Sequence, residues 1–508
     1  MFFKLKSIGL TGFNAFPVSA EIESSEGLPD FQIIGLADAA VRECRERLKS
    51  AFRTSSLTFP ESRVIVNLAP ADVRKTGTVH DLAIAAAICM VQGWIKHNQA
   101  EKAAFIGEVS LGGEIRSVRG VLPMTITAKE MGCTEIYVPA ENAAEAAVVN
   151  GITVYGVSDL GSLVAHFYMN KKIPPQPEYI ADLSPDCEGS DFRDVKGQHL
   201  AKRALEVAAA GGHNSLMIGP PGSGKSMLAK AFPSILPAMT FDEAISVTKV
   251  YSIAGELDPK SPLVTRRPFR SPHHTVSTAG LAGGGNMIRP GEISLAHNGV
   301  LFLDELPEFS RNSIELLRQP LEDGKVTISR AAGSVTYPSD FMLMAAMNPC
   351  PCGYYGHPKK KCTCSPQKVQ NYLGKISGPM LDRIDISVEV PAVDFEELSN
   401  ARKGESSAQI RERVQKARDI QNERFKGTGI SCNAGITPSL IDEVCHIDDD
   451  CREVLDRVFN MLGLTGRTYA KVLKVARTIA DLDGSEQITR KHIIEASSYR
   501  DIDRKYSF

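Results

Sequence analysis

Residues 219–226, with the sequence GPPGSGKS, constrain the fold more than any other part of the chain. They follow a short apolar run, residues 214–218, and precede a helix-compatible stretch that begins at Met227. A glycine-rich loop between a buried strand and a helix turns backbone N–H groups and the helix N-terminus toward phosphates. The pattern therefore predicts an α/β domain built on a mostly parallel sheet, with a nucleotide site at this loop.

Each position of the loop has an expected part in binding ATP. Lys225 should neutralise the β- and γ-phosphates, and Ser226 should offer its hydroxyl to Mg²⁺. The residues predicted to surround the phosphates are Gly219, Pro220, Pro221, Gly222, Ser223, Gly224, Lys225 and Ser226.

Two further apolar runs end in polar side chains that suit phosphate chemistry. Residues 300–303 form a four-residue apolar run before Asp304 and Glu305, and residues 341–347 precede Asn348. The carboxyl ends of parallel strands are where α/β sheets place their ligands. Asp304 is predicted to serve Mg²⁺, Glu305 to polarise an attacking water, and Asn348 to orient that water.

Length and composition set the domain organisation. The chain has 508 residues, with 58 basic against 60 acidic side chains, which excludes global disorder and a strongly basic DNA coat. A Pro-rich linker at 171–191 separates an α/β domain at 1–170 from an α/β core at 192–390, and a mainly helical domain follows at 391–508. The longest apolar run, residues 82–91, is too short to span a bilayer. Eleven cysteines without a secretory segment indicate a cytoplasmic protein.

Three longer motifs resemble a known family. They are RPFRSPHHT at 267–275, PGEISLAHNGVLFLDELPE at 290–308 and GPMLDRID at 378–385. Together with the phosphate loop, Asp304, Glu305 and Asn348, they resemble the AAA+ ATPases of the magnesium-chelatase-like branch, of the bacterial ComM/YifB type. The resemblance implies an N-terminal Lon-protease-like (S5-fold) domain, an AAA+ core with a parallel sheet, and a C-terminal helical lid.

The same resemblance implies further roles. Arg383 matches an arginine finger that acts on the nucleotide of a neighbouring subunit, and Arg467 matches the sensor-2 arginine of the lid. Val195 lies in the segment that matches the adenine contact. Such a protein is expected to form a hexameric ring and to drive branch migration or unwinding of branched or single-stranded DNA. The alternatives are a magnesium-chelatase-like chaperone, a remodelling ATPase for protein complexes and an ATP-dependent protease.

The N-terminal segments at 67–84 and 105–123 resemble the Lon-type fold. In place of a serine nucleophile the chain offers Thr76 and Thr78, and the region after Arg119 lacks a matching lysine. Threonine without a nearby base is a weak nucleophile, so the domain is predicted to be a proteolytically inactive scaffold.

Two segments are candidates for contact with DNA. Residues 264–289 contain Arg267 and Arg270 but no acidic side chain, and residues 324–337 have the pattern of a hairpin carrying Lys325 and Arg330. Relatives place a hairpin at the second position in the central channel. The alternative for both segments is a solvated loop with incidental charge.

A cluster of cysteines follows Asn348 directly. Cys350, Cys352, Cys362 and Cys364 form the pattern C-x-C-x₉-C-x-C within an insert at 350–364, and the stretch around them contains Lys360 and no acid up to Lys375. Four thiolates suit tetrahedral Zn²⁺, which predicts a zinc-stapled basic knuckle that could also touch DNA. The alternative is a set of structural or redox-active cysteines.

Overall fold

The computed structural model describes residues 1–36, 38–183, 189–285, 288–330, 333–392, 404–462, 465–500, 502 and 506, with the backbone alone at 330, 333 and 462. The chain divides into two compact units. The first comprises Met1–Asp182, Phe241–Thr265 and Ser329–Tyr337, and the second comprises Leu183–Thr240, Arg266–Ile328 and Pro338–Phe508.

The first unit is built on a mixed seven-stranded sheet. In chain order, its strands and the small β6–β7 pair are β1 (Phe2–Thr11), β2 (Asn14–Ser25), β3 (Asp30–Ile34), β4 (Arg63–Ala69), β5 (Ala103–Phe105), β6 (Glu108–Val109), β7 (Ile115–Arg116), β8 (Glu135–Pro139) and β9 (Thr153–Val157). The sheet order is β3-β4-β2-β1-β5-β8-β9. The long β1 pairs antiparallel with β2 over the whole of β1, whereas β5, β8 and β9 run parallel.

Helices cover this sheet, and one of them is buried on every side. The helices are α1 (Ala39–Thr54), α2 (Asp81–Val91), α3 (His97–Ala100), α4 (Val121–Glu130), α5 (Ala143–Ala146), α6 (Leu160–Phe167) and, from the later segment, α9 (Phe241–Ala254). The sequence DLAIAAAICMV of α2 is apolar around its whole circumference, and a helix with that pattern is stable only inside a core. The longest apolar run of the sequence is therefore a core helix.

The second unit contains a five-stranded parallel sheet. Its strands are β10 (Ser215–Ile218), β11 (Phe269–Arg270), β14 (Val300–Leu303), β17 (Met342–Met347) and β18 (Ile386–Glu389), in the order β11-β14-β17-β10-β18. The sequences SLMI and VLFL of β10 and β14 are wholly buried, as parallel strands covered on both faces should be. In register, Ile218 lies beside Met347 and Leu303 beside Ala345, so three strands end together.

The rest of the second unit is mainly helical. Before β18 lie α7 (His199–Gly211), α8 (Lys225–Ala231), α10 (Thr278–Ala282), α11 (Glu292–Leu295), α12 (Arg311–Leu316), α13 (Arg318–Asp323), α14 (Pro366–Leu373) and α15 (Gly378–Leu381), with a short pair of strands, β12 (Gly283–Gly284) and β13 (Arg289–Pro290). After β18 follow α16 (Ser407–Arg424), α17 (Ile441–Val444), α18 (Asp449–Leu462), α19 (Gly466–Leu482) and α20 (Arg490–Ser498). The apolar faces of α7, α16 and α19 share one core with the parallel sheet.

The predicted fold class is confirmed, because the structure has a parallel-sheet α/β core followed by helices. The predicted hairpin is present as β15 (Lys325–Arg330) and β16 (Gly333–Pro338), which form a two-stranded sheet. The compact units divide the chain differently from the predicted domain boundaries, since 241–265 and 329–337 group with the N-terminal residues. Within the described residues, the structure contains no helix with the length and apolar content needed to cross a bilayer.

Candidate functional site

The phosphate loop begins where β10 ends and is shaped by its glycines. A Cβ on Gly219 would lie 2.1 Å from the carbonyl oxygen of Val390, which directly follows β18. Only glycine therefore fits at this position. Gly222 and Gly224 have φ of 77° and 94°, in the left-handed region that glycine adopts without strain. Apart from the adjacent residues of the chain, no described residue has an atom within 4 Å of the position that a Cβ on either glycine would take. The loop therefore forms an open cradle of backbone, the shape that a phosphate chain requires.

Lys225 begins helix α8 and points its amine into the loop. Its Nζ donates to the carbonyl oxygens of Gly219 and Pro220, at 2.7 and 3.0 Å, and to Asn348 Oδ1 at 3.2 Å. Burial lowers the pKa of Lys225, while Asp304 and Glu305 oppose that shift. The hydrogen bonds of this buried cation go to neutral oxygens, so the cradle favours an anionic ligand that can pair with it directly.

The end of β14 brings oxygen ligands next to the loop. Ser226 Oγ donates to Asp304 Oδ2 at 2.9 Å, which joins a hydroxyl and a carboxylate of the kind that Mg²⁺ prefers. Glu305 is exposed and has φ of 53° and ψ of 48°, a left-handed conformation that is strained for a residue with a side chain. The sheet thus brings Lys225 into contact with Asn348, and Ser226 into contact with Asp304. These residues fit ATP and Mg²⁺.

Sequence reasoning missed Gln198, which supports the same loop. Gln198 adopts φ of 58°, and its Nε2 donates to the carbonyl oxygens of Ser223 and Pro391 at 3.0 and 2.6 Å. It thereby links the loop to the segment that follows β18. The two acceptors are 25 and 193 residues away from Gln198 in the sequence, so no local pattern could predict these hydrogen bonds.

Val195, the predicted adenine contact, is buried in the core of the second unit. Its carbonyl oxygen accepts a hydrogen bond from Lys202 Nζ at 2.5 Å. The neighbouring Asp191 accepts hydrogen bonds from the backbone N–H groups of Arg193 and Ser407, both at 2.9 Å. Although burial alone would raise it, these bonds lower the pKa of Asp191 to about 2. This segment is thus fixed to the start of α16.

Arg383 and Arg467, the two arginines that resemble AAA+ signature residues, both have partners within residues 379–382. Arg383 donates to the carboxylate of Glu322 and, at 2.9 Å, to the carbonyl oxygen of Pro379. Arg467 is largely exposed and approaches Asp382, with 3.8 Å between Nη1 and Oδ2. Glu322, on helix α13, is a partner for Arg383 that the sequence did not indicate.

Two of the predicted DNA-contacting arginines have partners within the fold. Arg267 donates to the carbonyl oxygens of Pro237 and Asn298, both at 2.8 Å, so its guanidinium fastens loop backbone. Arg270 forms a bidentate ion pair with Glu292, at 2.6 and 2.7 Å. Contact between DNA and Arg270 would require that pair to open.

Other predicted DNA contacts have accessible side chains. Lys325 is exposed at the start of β15. Lys360 is exposed too, and its Nζ lies 4.9 Å from the centroid of the Tyr354 ring, within cation–π range. The side chain of Arg330 lies outside the described residues.

The four clustered cysteines converge on one point. All four Sγ atoms lie within 4.8 Å of one another, and Cys350, Cys352 and Cys362 are separated by 3.3 to 3.7 Å. Four sulfurs at about 2.3 Å from a tetrahedral zinc ion would lie about 3.8 Å apart. Burial opposes ionisation of Cys352, yet the N–H groups of Thr363 and Tyr354 lower its pKa. Although main-chain hydrogen bonds oppose the shift, burial and the neighbouring thiols raise the pKa values of Cys362 and Cys364. The donor set fits a tetrathiolate metal centre.

In the first unit, the polar side chains around the predicted threonine Thr78 are mostly buried and paired. Ser7 Oγ lies 2.9 Å from His80 Nδ1, and Thr78 Oγ1 donates to Glu108 Oε2 at 2.5 Å. Lys75 is fully buried, and its amine donates to the carbonyl oxygen of Pro70. The lysine in this part of the fold is therefore bonded to backbone and not to a hydroxyl nucleophile.

Comparisons with known proteins agree with this architecture. Three family models match: "Magnesium chelatase, subunit ChlI" at 191–398, "Subunit ChlI of Mg-chelatase" at 20–142 and "Magnesium chelatase, subunit ChlI C-terminal" at 404–500. The chain has the fold and the nucleotide loop of an AAA+-type ATPase.

Full-length relatives place the chain more narrowly. It is 42% identical over 494 residues to the competence protein ComM of Haemophilus influenzae, covering 96% of this chain and 95% of the relative. It is 41% identical to the uncharacterized protein YifB of Salmonella typhimurium, covering 97% and 96%. Identity to the magnesium-chelatase 67 kDa subunit of Chlorobaculum parvum is 31%, over 31% of this chain and 23% of that protein. The chain belongs to the magnesium-chelatase-like family, as a ComM-type member, and proteins of this family are commonly oligomeric.

Proposed function

We propose that this protein is an ATP-hydrolysing motor that forms a hexameric ring and moves branched or single-stranded DNA. The observation that carries the proposal is the contact of Lys225 with Asn348 and of Ser226 with Asp304 in a chain similar over nearly its whole length to a competence protein. Branch migration during recombination or natural transformation is the activity that this combination favours.

The residues of the loop would divide the work of hydrolysis as follows. Lys225 leaves the carbonyls of Gly219 and Pro220 and neutralises the β- and γ-phosphates. Ser226 and Asp304 would hold Mg²⁺, which would supply charge neutralisation when it is bound. Glu305 accepts the proton of the attacking water, and Asn348 orients that water.

Arg383 completes the proposed site from an adjacent copy of the chain. Its guanidinium is paired with Glu322, and that pair would open when Arg383 reaches the nucleotide of the neighbouring copy. Loss of such a finger costs about 10³–10⁵ in turnover. In a mixture, Arg383→Ala and Lys225→Ala proteins should together regain part of the activity that each lacks alone, because each can supply the group that the other has lost. No recovery at any ratio would contradict a site shared between subunits.

The DNA motor is tested by the ATPase rate with and without forked DNA. Wild-type protein should be stimulated, and Glu305→Gln protein should bind ATP and DNA without turnover. If Lys325 and Lys360 contact phosphates, each substitution by alanine should reduce the slope of log affinity against log salt by about 0.7–0.9. Lys416, an exposed lysine on α16, provides the matched control. A rate unaffected by DNA at low salt would favour remodelling of protein complexes instead.

The proposal also includes a Zn²⁺ site at the four clustered cysteines, because their sulfur atoms converge. The N-terminal domain is proposed to be a Lon-like scaffold without protease activity, since Lys75 bonds to backbone. The chaperone alternative is weaker, because the similarity to the magnesium-chelatase 67 kDa subunit covers under a third of this chain.

A further inference from the structure

The loop that carries the four cysteines lies against the nucleotide site. Residues 349–364, here called the thiol loop, are all described and contain neither helix nor strand. Cys350 is fully buried and stands two residues after Asn348, whose Oδ1 accepts from Lys225. The position of Cys350 therefore limits where the Asn348 amide can lie.

A second contact joins the thiol loop to the phosphate loop itself. Gly353 has φ of 81°, and a Cβ on it would lie 2.3 Å from Cδ of Pro221. The backbone of Gly353 thus lies against the ring of a residue inside the phosphate cradle. A side chain at this position would push the two loops apart.

A third contact comes from the helix that follows the thiol loop. Tyr372 on α14 is buried, which raises the pKa of its hydroxyl, and the main-chain N–H of Asn348 acts in the opposite direction on that pKa. Both ends of the thiol loop are thus close to Asn348, one through the chain and the other through Tyr372.

The thiol loop also has hydrogen bonds within itself, since Tyr355 N–H donates to Cys350 Sγ at 3.3 Å and Lys360 N–H donates to His357 Nδ1 at 3.0 Å. It is irregular, and it carries Lys359, Lys360 and Lys361 in succession. Ordering the backbone of an irregular loop costs conformational entropy. Metal binding to preformed thiolates provides folding free energy directly.

We propose that Zn²⁺ bound by Cys350, Cys352, Cys362 and Cys364 braces the ATP site, holding Asn348 and Pro221 where hydrolysis needs them. Gly353 and Tyr372 are the positioning residues that transmit the brace. The inference rests on the proposed ATP hydrolysis and extends it, because it makes turnover depend on a metal that does not touch the nucleotide.

The first test removes a metal ligand from the full-length protein. Cys352→Ser should lose bound zinc and lower basal ATP turnover by roughly ten- to a hundredfold, since small displacements of orienting groups have effects of that size. Nucleotide affinity, followed with a fluorescent ATP analogue, should fall by a smaller factor. Cys432→Ser removes a partly exposed cysteine outside the cluster and should change none of these values.

The second test asks whether the contact between the two loops affects turnover when zinc is still bound and the protein is still folded. Gly353→Ala should keep its zinc, and Co²⁺ exchanged into it should show the visible absorption of a tetrahedral thiolate site, yet kcat should fall as in Cys352→Ser. Gly429→Ala is the matched control, because Gly429 has φ of 76° and open space around its Cβ position. Both alanines carry the same backbone strain, and only one meets the phosphate loop.

The outcomes distinguish this inference from the proposed function. Zinc-free wild-type protein, or a zinc-free Cys352→Ser protein with unchanged turnover and unchanged nucleotide affinity, overturns the brace and leaves the motor standing. Basal turnover that depends on zinc but never responds to DNA overturns the DNA motor and leaves the brace standing. If wild-type turnover is too slow to measure, unchanged nucleotide affinity in the zinc-free variant is enough to reject the brace.

Discussion

Each compact unit contains a cluster of polar side chains around a lysine, and the two clusters differ in accessibility. In the second unit, Lys225 is flanked by an open glycine cradle, and Ser226 and Glu305 are exposed. In the first unit, Lys75 and His80 are buried to within 1% of their surface. Similar residue types therefore produce a binding site in one place and a packed core in the other.

Backbone geometry accounts for the difference. The phosphate loop contains glycines at positive φ that leave space beside the chain, so its N–H groups can face a ligand. The lysine of the first unit has instead a carbonyl oxygen, that of Pro70, as its partner. A polar cluster indicates chemistry only where the fold leaves room for a reactant.

The largest expected effect contrasts the two lysines. Lys225→Ala should reduce ATP turnover by at least about 10²–10³-fold, since it removes the charge that stabilises the developing phosphate charge. Lys75→Met should leave turnover per folded molecule unchanged and destabilise the first unit by about 1–3 kcal/mol, because the Pro70 carbonyl loses its buried partner.

Trp94, the single tryptophan of the chain, lies in the first unit and stacks on Phe52. Its fluorescence can follow unfolding of that unit while a phosphate-release assay follows turnover. A normal fluorescence transition with lost turnover in Lys75→Met would break the comparison, because it would give Lys75 a part in catalysis.

The sequence was sufficient for the fold class and for the polar side chains that meet at the phosphate loop, for a physical reason. The glycine loop, Asp304 and Asn348 each follow an apolar run, and parallel strands end at one edge of a sheet. These local patterns, combined with the rule that parallel strands end at one edge, predict that Lys225 and Asn348 meet although they are 123 positions apart.

Partners that depend on long-range packing could not be predicted in this way. The contact of Gln198 with Ser223, the pair of Arg383 with Glu322, and the approach of Gly353 to Pro221 have no local signature. The absence of acidic residues from 264–289 likewise did not predict that Arg270 is neutralised, because its partner Glu292 lies just beyond that range. Charge can be counted in a sequence, whereas its neutralisation depends on the fold.

A smaller effect concerns the pH dependence of the first unit. Burial, with Lys75 nearby, lowers the pKa of His80 to about 4, against about 6.5 in an unfolded chain. Between these values the unfolded chain binds the proton and the native chain does not, so stability is lost as pH falls from about 6.5 to about 4. The difference corresponds to about 3 kcal/mol.

His80→Asn retains a polar group near Ser7 and removes this titration. Denaturant unfolding followed by Trp94 should therefore show a flatter pH profile in the variant than in the wild type. Comparing the two proteins also cancels the contribution of Asp81, a buried neighbour that titrates in the same range. Parallel profiles would show that His80 is protonated inside the fold and that the cluster is more accessible than its burial indicates.

The smallest expected effect decides whether the first cluster has any hydrolytic role. Thr78 donates to Glu108, a carboxylate that is a poor base for a hydroxyl, and the amine of Lys75 is directed elsewhere. Thr78→Ala should change the stability of the first unit by about 1 kcal/mol, and casein should remain intact with wild type and variant alike. Thr76→Ala, at an exposed neighbour, is the matched control. The contrary result is cleavage of casein without ATP by wild type and by Thr76→Ala but not by Thr78→Ala. That result would mean that the first cluster opens to substrate. Burial would then no longer distinguish the polar cluster of the first unit from that of the second.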